Sequence, residues 1–346
     1  MSETAAVQAP CPWHREELSD WARRRQQQRL PHALLLGGAA GIGKERIARA
    51  LLEWLLCEQP GGGLACGRCR ACHLSASGSH PDYFRLTPEE PGKPIKVDQV
   101  RALAEFAERT AQYGGPRVAL VMPAEAMNRN AQNALLKTLE EPGENTLLLL
   151  VSHQPGLLLP TIRSRCQQRR LPMPAADSAL PWLRDQLGDG ERAPALLSAA
   201  GGAPLKAVEL EHADWFVRRK SLLEGLVGVI ESRGAINEAV QPLLAGDTLT
   251  LLDALYGWTV QALKSEWAGQ ASEDAEIAET LHRLARSAGR VRLLNFGEQL
   301  LRARVALRAG ANPNRELMVE ALVLYLAGVD PNADPLATAT TATAGS

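Results

Sequence analysis

Gly38, Gly43 and Lys44 stand at the G-x-x-x-x-G-K spacing of a phosphate-binding loop, within Leu36-Gly-Gly-Ala-Ala-Gly-Ile-Gly-Lys44. In such a loop the glycines, here Gly38, Gly41 and Gly43, let backbone N–H groups face phosphate oxygens at a helix N-terminus, and the lysine adds a point charge. The next residue should be Ser or Thr, whose hydroxyl ligates magnesium, and it is Glu45. A carboxylate there sets negative charge beside a triphosphate in place of a neutral ligand. The acids that hydrolysis needs are missing too. The apolar run Arg117-Val-Ala-Leu-Val-Met122 should end in Asp-Glu, the metal ligand and the base for water, but it runs into Pro123. Glu125 lies past the strand end, and Ser152, at the tip of a second apolar run, reads as a turn or capping serine. The loop has the shape of an ATPase site without its metal chemistry, so this chain is expected to bind ATP and magnesium weakly at best.

A second cluster follows directly. Cys57, Cys66, Cys69 and Cys72 lie in Cys-Glu-Gln-Pro-Gly-Gly-Gly-Leu-Ala-Cys-Gly-Arg-Cys-Arg-Ala-Cys-His. Four thiolates with two C-x-x-C steps suit a tetrahedral zinc ion, and Pro60-Gly-Gly-Gly63 lets the chain bend back so that Cys57 reaches the other three. Cys69-Arg-Ala-Cys72-His73 also fits haem attachment, which needs an exported chain, and no secretory signal is read at Met1–Pro10. An iron–sulfur cluster would want a fourth cysteine followed by proline, which this pattern lacks. With no open coordination position, the zinc is expected to be structural.

Composition narrows the class. A chain of 346 residues with 45% hydrophobic residues can bury two or three cores, and a net charge of −1 gives no global pull toward nucleic acid. No apolar run reaches the 18 residues of a membrane span, so a cytoplasmic protein is expected.

The elements that must position these groups alternate. Apolar runs at 33–37, 82–86, 117–122 and 146–151 read as strands, the last of the kind found in a parallel sheet covered on both faces. Helical spacing of apolar residues marks 13–30, 44–56, 97–111 and 128–141. A short basic helix and a last strand follow in Leu159–Leu171. Together these predict a doubly wound α/β domain. From Pro172 the strands stop. Short pieces at 179–187, 193–200 and 205–210 suggest a small helical module, and long helices are predicted at 215–230, 249–267, 275–307 and 315–327. The Ala/Thr-rich residues 331–346 read as a disordered tail.

Several signatures coincide: Pro31-His32-Ala33-Leu34-Leu35 before the loop, the cysteine spacing, Asn133-Ala-Leu-Leu-Lys-Thr-Leu-Glu-Glu-Pro142, and Ser164-Arg165-Cys166. As a set they resemble the clamp-loader AAA+ proteins of bacterial replication, and the degenerate loop is similar to that of a member which does not hydrolyse ATP. The resemblance implies a RecA-like AAA+ domain over 1–172 with a zinc-binding insertion at 57–72. A helical lid over 173–211 and an all-α collar domain over 212–330 would follow. It further implies a five-membered ring with the delta subunit and the gamma or tau ATPases of DNA polymerase III, which opens the sliding clamp and places it on primer–template DNA. Carried over from the family, Arg165 is an arginine finger acting in trans, with Ser164 and Cys166 completing its motif. In active loaders a lid arginine senses nucleotide near Gly202-Ala-Pro-Leu-Lys206; here Leu205 takes that place.

Two rivals remain at this stage. One is an independent ATPase in which Glu45 or Glu125 holds the metal. The other is a zinc-bearing nucleic-acid binder using Arg68, Arg70 and the basic run 163–170.

Overall fold

The computed structural model describes residues 10–329 other than 91, 189, 212, 271, 273, 309 and 310, so the expected tail at 331–346 lies outside the described residues. The chain divides into two compact units: residues 1–182 with 203–206, and residues 183–202 with 207–346.

The first unit is α/β. Its strands are β1 (Ala33–Gly37), β2 (Tyr83–Leu86), β3 (Arg117–Val121), β4 (Thr146–Ser152) and β5 (Gln167–Arg170). They form one parallel sheet in the order β2-β3-β4-β1-β5. The three interior strands β3, β4 and β1 are buried along their whole length, which is why they read as unbroken apolar runs. At one edge lies β5, Gln-Gln-Arg-Arg, half-exposed and charged as an unpaired edge usually is.

Successive residues of β1 feed opposite layers. Leu34 and Leu36 pack with Trp21 of α1 (Arg15–Gln26) and with Ile47, Leu51 and Leu55 of α2 (Lys44–Leu56). Ala33 and Leu35 pack with Val100 and Leu103 of α4 (Val97–Glu108), Leu135 and Leu139 of α5 (Arg129–Glu140) and Ile162 of α6 (Pro160–Arg165). Between α2 and α4 in the chain, α3 (Arg70–Ala76) carries Cys72, the last of the four closely spaced cysteines. The predicted α/β class and parallel sheet are those of the structure, with helix ends trimmed: the spacing read to Ala111 stops at Glu108, where the chain turns extended at Arg109.

After β5 come only helices among the described residues. They are α7 (Ala176–Leu187), α8 (Ala193–Ala199), α9 (Pro204–Glu211), α10 (Asp214–Val217), α11 (Arg219–Ile230), α12 (Ile236–Leu243), α13 (Thr248–Trp267), α14 (Ala278–Ala288), α15 (Arg290–Arg308) and α16 (Arg315–Ala327). One apolar core joins α11 to α16. The helix predicted over 275–307 is two helices, broken at Gly289, whose φ of +78° only glycine adopts without strain. Asp247 and Asn314 cap α13 and α16 by accepting the amides of Thr250 and Leu317.

A buried ion pair ties this core together. Arg219, 4% exposed, lies over Phe216 and donates through Nε and Nη2 to the carboxylate of Asp274 at 2.6 and 3.1 Å. Stranding a buried charge costs far more than the pair contributes. Glu276 also accepts from Nη2 of Arg219 at 2.5 Å, so it is the double variant Asp274→Ala/Glu276→Ala that should lower the free energy of urea unfolding by about 3 kcal/mol. A loss below about 1 kcal/mol would show that water reaches the pair.

Candidate functional site

Parallel pairing sets Gly37, the last residue of β1, beside Ser152 of β4 and Arg170 of β5, so the loop leaves from the C-terminal edge of the sheet's interior. Gly43 caps α2 with φ of +91°, and a Cβ there would meet Cys11 Sγ at 2.7 Å and His14 Cε1 at 3.1 Å. At Gly38 a Cβ would lie 2.6 Å from the carbonyl oxygen of Leu171. The cradle predicted from Gly38, Gly41, Gly43 and Lys44 is thus assembled, but it is packed from outside.

Its polar groups turn inward on the chain itself. Lys44 is 3% exposed, and its Nζ donates to the carbonyl of Ala39 at 2.5 Å. Burial pulls its pKa down to about 8, against the opposing field of Glu125. The carbonyl of Gly41 accepts the amide of Leu205 at 2.9 Å, and that of Ile42 accepts the indole Nε1–H of Trp13 at 2.9 Å. His14 is buried with both ring nitrogens unpartnered, and burial followed by the charge of Lys44 lowers its pKa to about 4.

The acids stand elsewhere. Glu45 turns to Arg85 of β2, 3.0 Å away, and to Arg49 at 3.9 Å. Oε1 of Glu125 accepts the amides of His153 and Gln154 at 2.8 and 3.2 Å, closing the exit of β4. Ser152 accepts the amide of Gln154 at 3.1 Å, the turn role expected of it. A cleft of about 760 Å³ beside the loop is lined by Gly37, Gly38, Ala39, His153 and Arg170 among others, and no Asp or Glu lines it.

Arg165 sits at the other end of the sheet. It closes α6, and β5 begins two residues later, pairing Gln167 with Leu34, three residues before Gly37 pairs with Arg170. Three strand residues span about 10 Å, so the guanidinium and its own loop lie at opposite strand ends. Nη1 donates to the carbonyl of Thr161 at 3.0 Å, and Nη2 pairs with Glu140 at the end of α5. Ser164 is exposed and bonded to Thr161, whereas Cys166 is buried in the core with its thiol pushed up to about 12 by burial, hence inert.

The four cysteines come together as predicted. Cys57 follows α2, Cys69 caps α3 and Cys72 lies inside it. Their sulfurs all lie within 4.8 Å of one another, with Cys57–Cys69 and Cys66–Cys72 at 3.9 Å. A tetrahedron with zinc–sulfur bonds of about 2.3 Å has edges of roughly 3.8 Å. Backbone amides already point at the sulfurs: Gln59 and Cys66 donate to Cys57 at 3.3 Å, and Cys72 to Cys69 at 3.4 Å. The amide of Arg68 leads the groups that lower Cys66 to about 6. The set fits one metal ion with no vacant position.

Comparison with known proteins agrees on one family. Family models described as "DNA polymerase III, delta subunit" and "DNA polymerase III, delta subunit, C terminal" match residues 13–175 and 213–327. The chain is similar to the DNA polymerase III subunit delta' of Pseudomonas aeruginosa, 41% identical over 92% of this chain and 97% of that protein. To its Escherichia coli counterpart it is 32% identical over 91% and 94%. The chain belongs to the delta-prime family of DNA polymerase III subunits. It is also similar to a solved DNA polymerase III gamma subunit-related protein of Thermotoga maritima, 19% identical, with TM-score 0.48 over 90% of this chain and 99% of that one.

Within this delta-prime chain, residue reasoning missed Cys11, Trp13, His14 and Leu205 as partners of the loop. Trp13 read as part of an amphipathic helix, yet Pro12 starts a separate short turn over Pro12–His14 that delivers the indole to Ile42. A proline so near a helix start was the available signal.

Because native His14 resists protonation until about pH 4 while the unfolded ring titrates near 6.5, acid favours the unfolded chain within that window. Stability conferred by the neutral ring is complete above pH 6.5 and lost as pH falls toward 4, up to about 3 kcal/mol. Unfolding measured across this range should show a shallower acid limb for His14→Phe than for the parent. Identical limbs would mean that the ring is open to solvent.

Proposed function

We propose that this chain is the non-hydrolysing subunit of a clamp loader, which lends Arg165 in trans to the ATP site of a neighbouring ATPase. The observation that carries the reading is the loop's self-satisfaction. Lys44 is bound to Ala39, Glu45 is drawn off to Arg85, and proline follows β3 where a magnesium ligand belongs. Such a pocket keeps the geometry of nucleotide binding without the means of phosphoryl transfer. Arg165, at the opposite strand ends, is too far to serve that pocket, which supports a role in trans.

The partners of this reading are the gamma or tau ATPase subunits and the delta subunit, in a five-membered ring that opens the sliding clamp and sets it on primer–template DNA in the cytoplasm. Residues 1–172 would form the AAA+ domain, 173–211 the lid and 212–330 the collar that joins the ring. An exposed apolar stripe supports the collar role: Val291, Leu294, Leu301 and Val305 lie on one face of α15 at the three-and-four spacing of a helix–helix seam. No described helix is long and apolar enough to cross a membrane. The four cysteines would hold a structural zinc that pins the 57–72 arm.

The isolated chain should release no phosphate from ATP above background. In a reconstituted ring, Arg165→Ala should slow the one site it faces by about 10³-fold, lowering total turnover by that site's share while the ring stays assembled. Full turnover in that variant ring would remove the finger, and steady turnover by the isolated chain would remove the whole reading.

For the metal, elemental analysis of the dialysed protein should find one zinc per chain, and Cys69→Ser should reduce it. Iron, or no metal, would reject zinc.

A further inference from the structure

Glu140 and Glu141 stand at the C-terminal end of α5, where the helix dipole disfavours negative charge by about 0.3–1 kcal/mol. Acids at that end do not stabilise the helix. One of them, Glu140, is paired with Arg165, whose side chain is 35% exposed. An ion pair so open to water contributes little to folding. A pair that stabilises neither helix nor fold has its effect in what it orients.

The orientation is well determined. The start of α6 is tied to α5 where the amide of Leu159 donates to Gln132 Oε1 at 2.8 Å, and Gln132 is itself buried and bonded to the carbonyl of Met127 at 3.0 Å. Its other end is tied through Arg165 to Glu140. At the guanidinium, Thr161 holds Nη1 and Glu140 holds Nη2, so both terminal nitrogens of the planar fork are fixed. Of five N–H groups, two are engaged and three remain to face an incoming anion. A guanidinium held at two points has little torsional freedom left to lose when it meets a phosphoryl group.

Resting on the finger reading of Arg165, we propose that Glu140 is the positioning residue of that finger: its carboxylate sets the plane in which Arg165 is presented to the neighbouring subunit's triphosphate. It touches neither nucleotide nor metal. Its effect passes wholly through Arg165.

The test uses the reconstituted ring, with turnover and KM for ATP measured on the parent and four variants. The quantity read is the part of turnover that Arg165→Ala abolishes. Glu140→Ala should lower that part about tenfold with KM unchanged and the ring intact. Glu140→Gln, which keeps an oxygen acceptor for Nη2, should recover most of the rate. The double variant Glu140→Ala/Arg165→Ala should match Arg165→Ala alone. Parent-like turnover in Glu140→Ala, beside an impaired Arg165→Ala, overturns the positioning role and leaves the finger standing. A faster Glu140→Ala ring overturns it too, since the carboxylate would then be competing with the triphosphate. If Arg165→Ala itself has no effect, the finger falls, and Glu140 with it.

Discussion

An ammonium group taken out of water must find oxygen, and in this chain Lys44 finds it in the loop that in an ATPase would be reserved for phosphate. That bond to Ala39 governs much of what surrounds it. With Lys44 folded back, the loop can be covered: Trp13 and Leu205 reach the carbonyls of Ile42 and Gly41, and Cys11 and His14 close over Gly43. The cover in turn deprives Lys44 of solvent, which draws its pKa toward neutrality and makes the carbonyl more necessary. Loop and cover stabilise each other. The result is a closely packed corner at the end of β1.

The sheet sets this corner apart from Arg165. Parallel strands give a domain two chemically unlike edges, since every C-terminal end faces one way. Here the C-terminal edge carries the closed loop and the N-terminal edge carries Arg165. A single chain cannot bring the two together without unmaking the sheet. Arg165 and the loop of its own chain therefore stay apart, one at each end of the strands.

Much of this was written plainly in the residues. Interior strands announced themselves because burial on both faces allows no polar interruption, as in Thr146–Val151. The cysteine cluster was legible because tetrahedral ligation constrains spacing tightly. The break at Gly289 was hidden because apolar periodicity continues on both sides of it, and only the glycine's left-handed φ marks the joint. The fate of Glu45 was illegible for a different reason. Its partner Arg85 is forty residues away on an edge strand, and no local pattern reports which side chain a long acid will meet. The same holds for Leu205, whose hydrogen bond to the loop is made by its backbone amide, which any residue type would offer.

The helix α2 is fastened at both extremities: its first residue, Lys44, is embedded in the loop, and the residue after its last turn, Cys57, belongs to the thiol cluster. A helix of thirteen residues held in this way is about 20 Å of stiff rod between two anchors. Fraying from its first turn, the ordinary route by which helices unzip, is opposed by the packing around Lys44, and a metal ion held by the thiols would oppose it from the other tip. The middle of this domain would then be protected by the tethering of its helix ends as well as by its core.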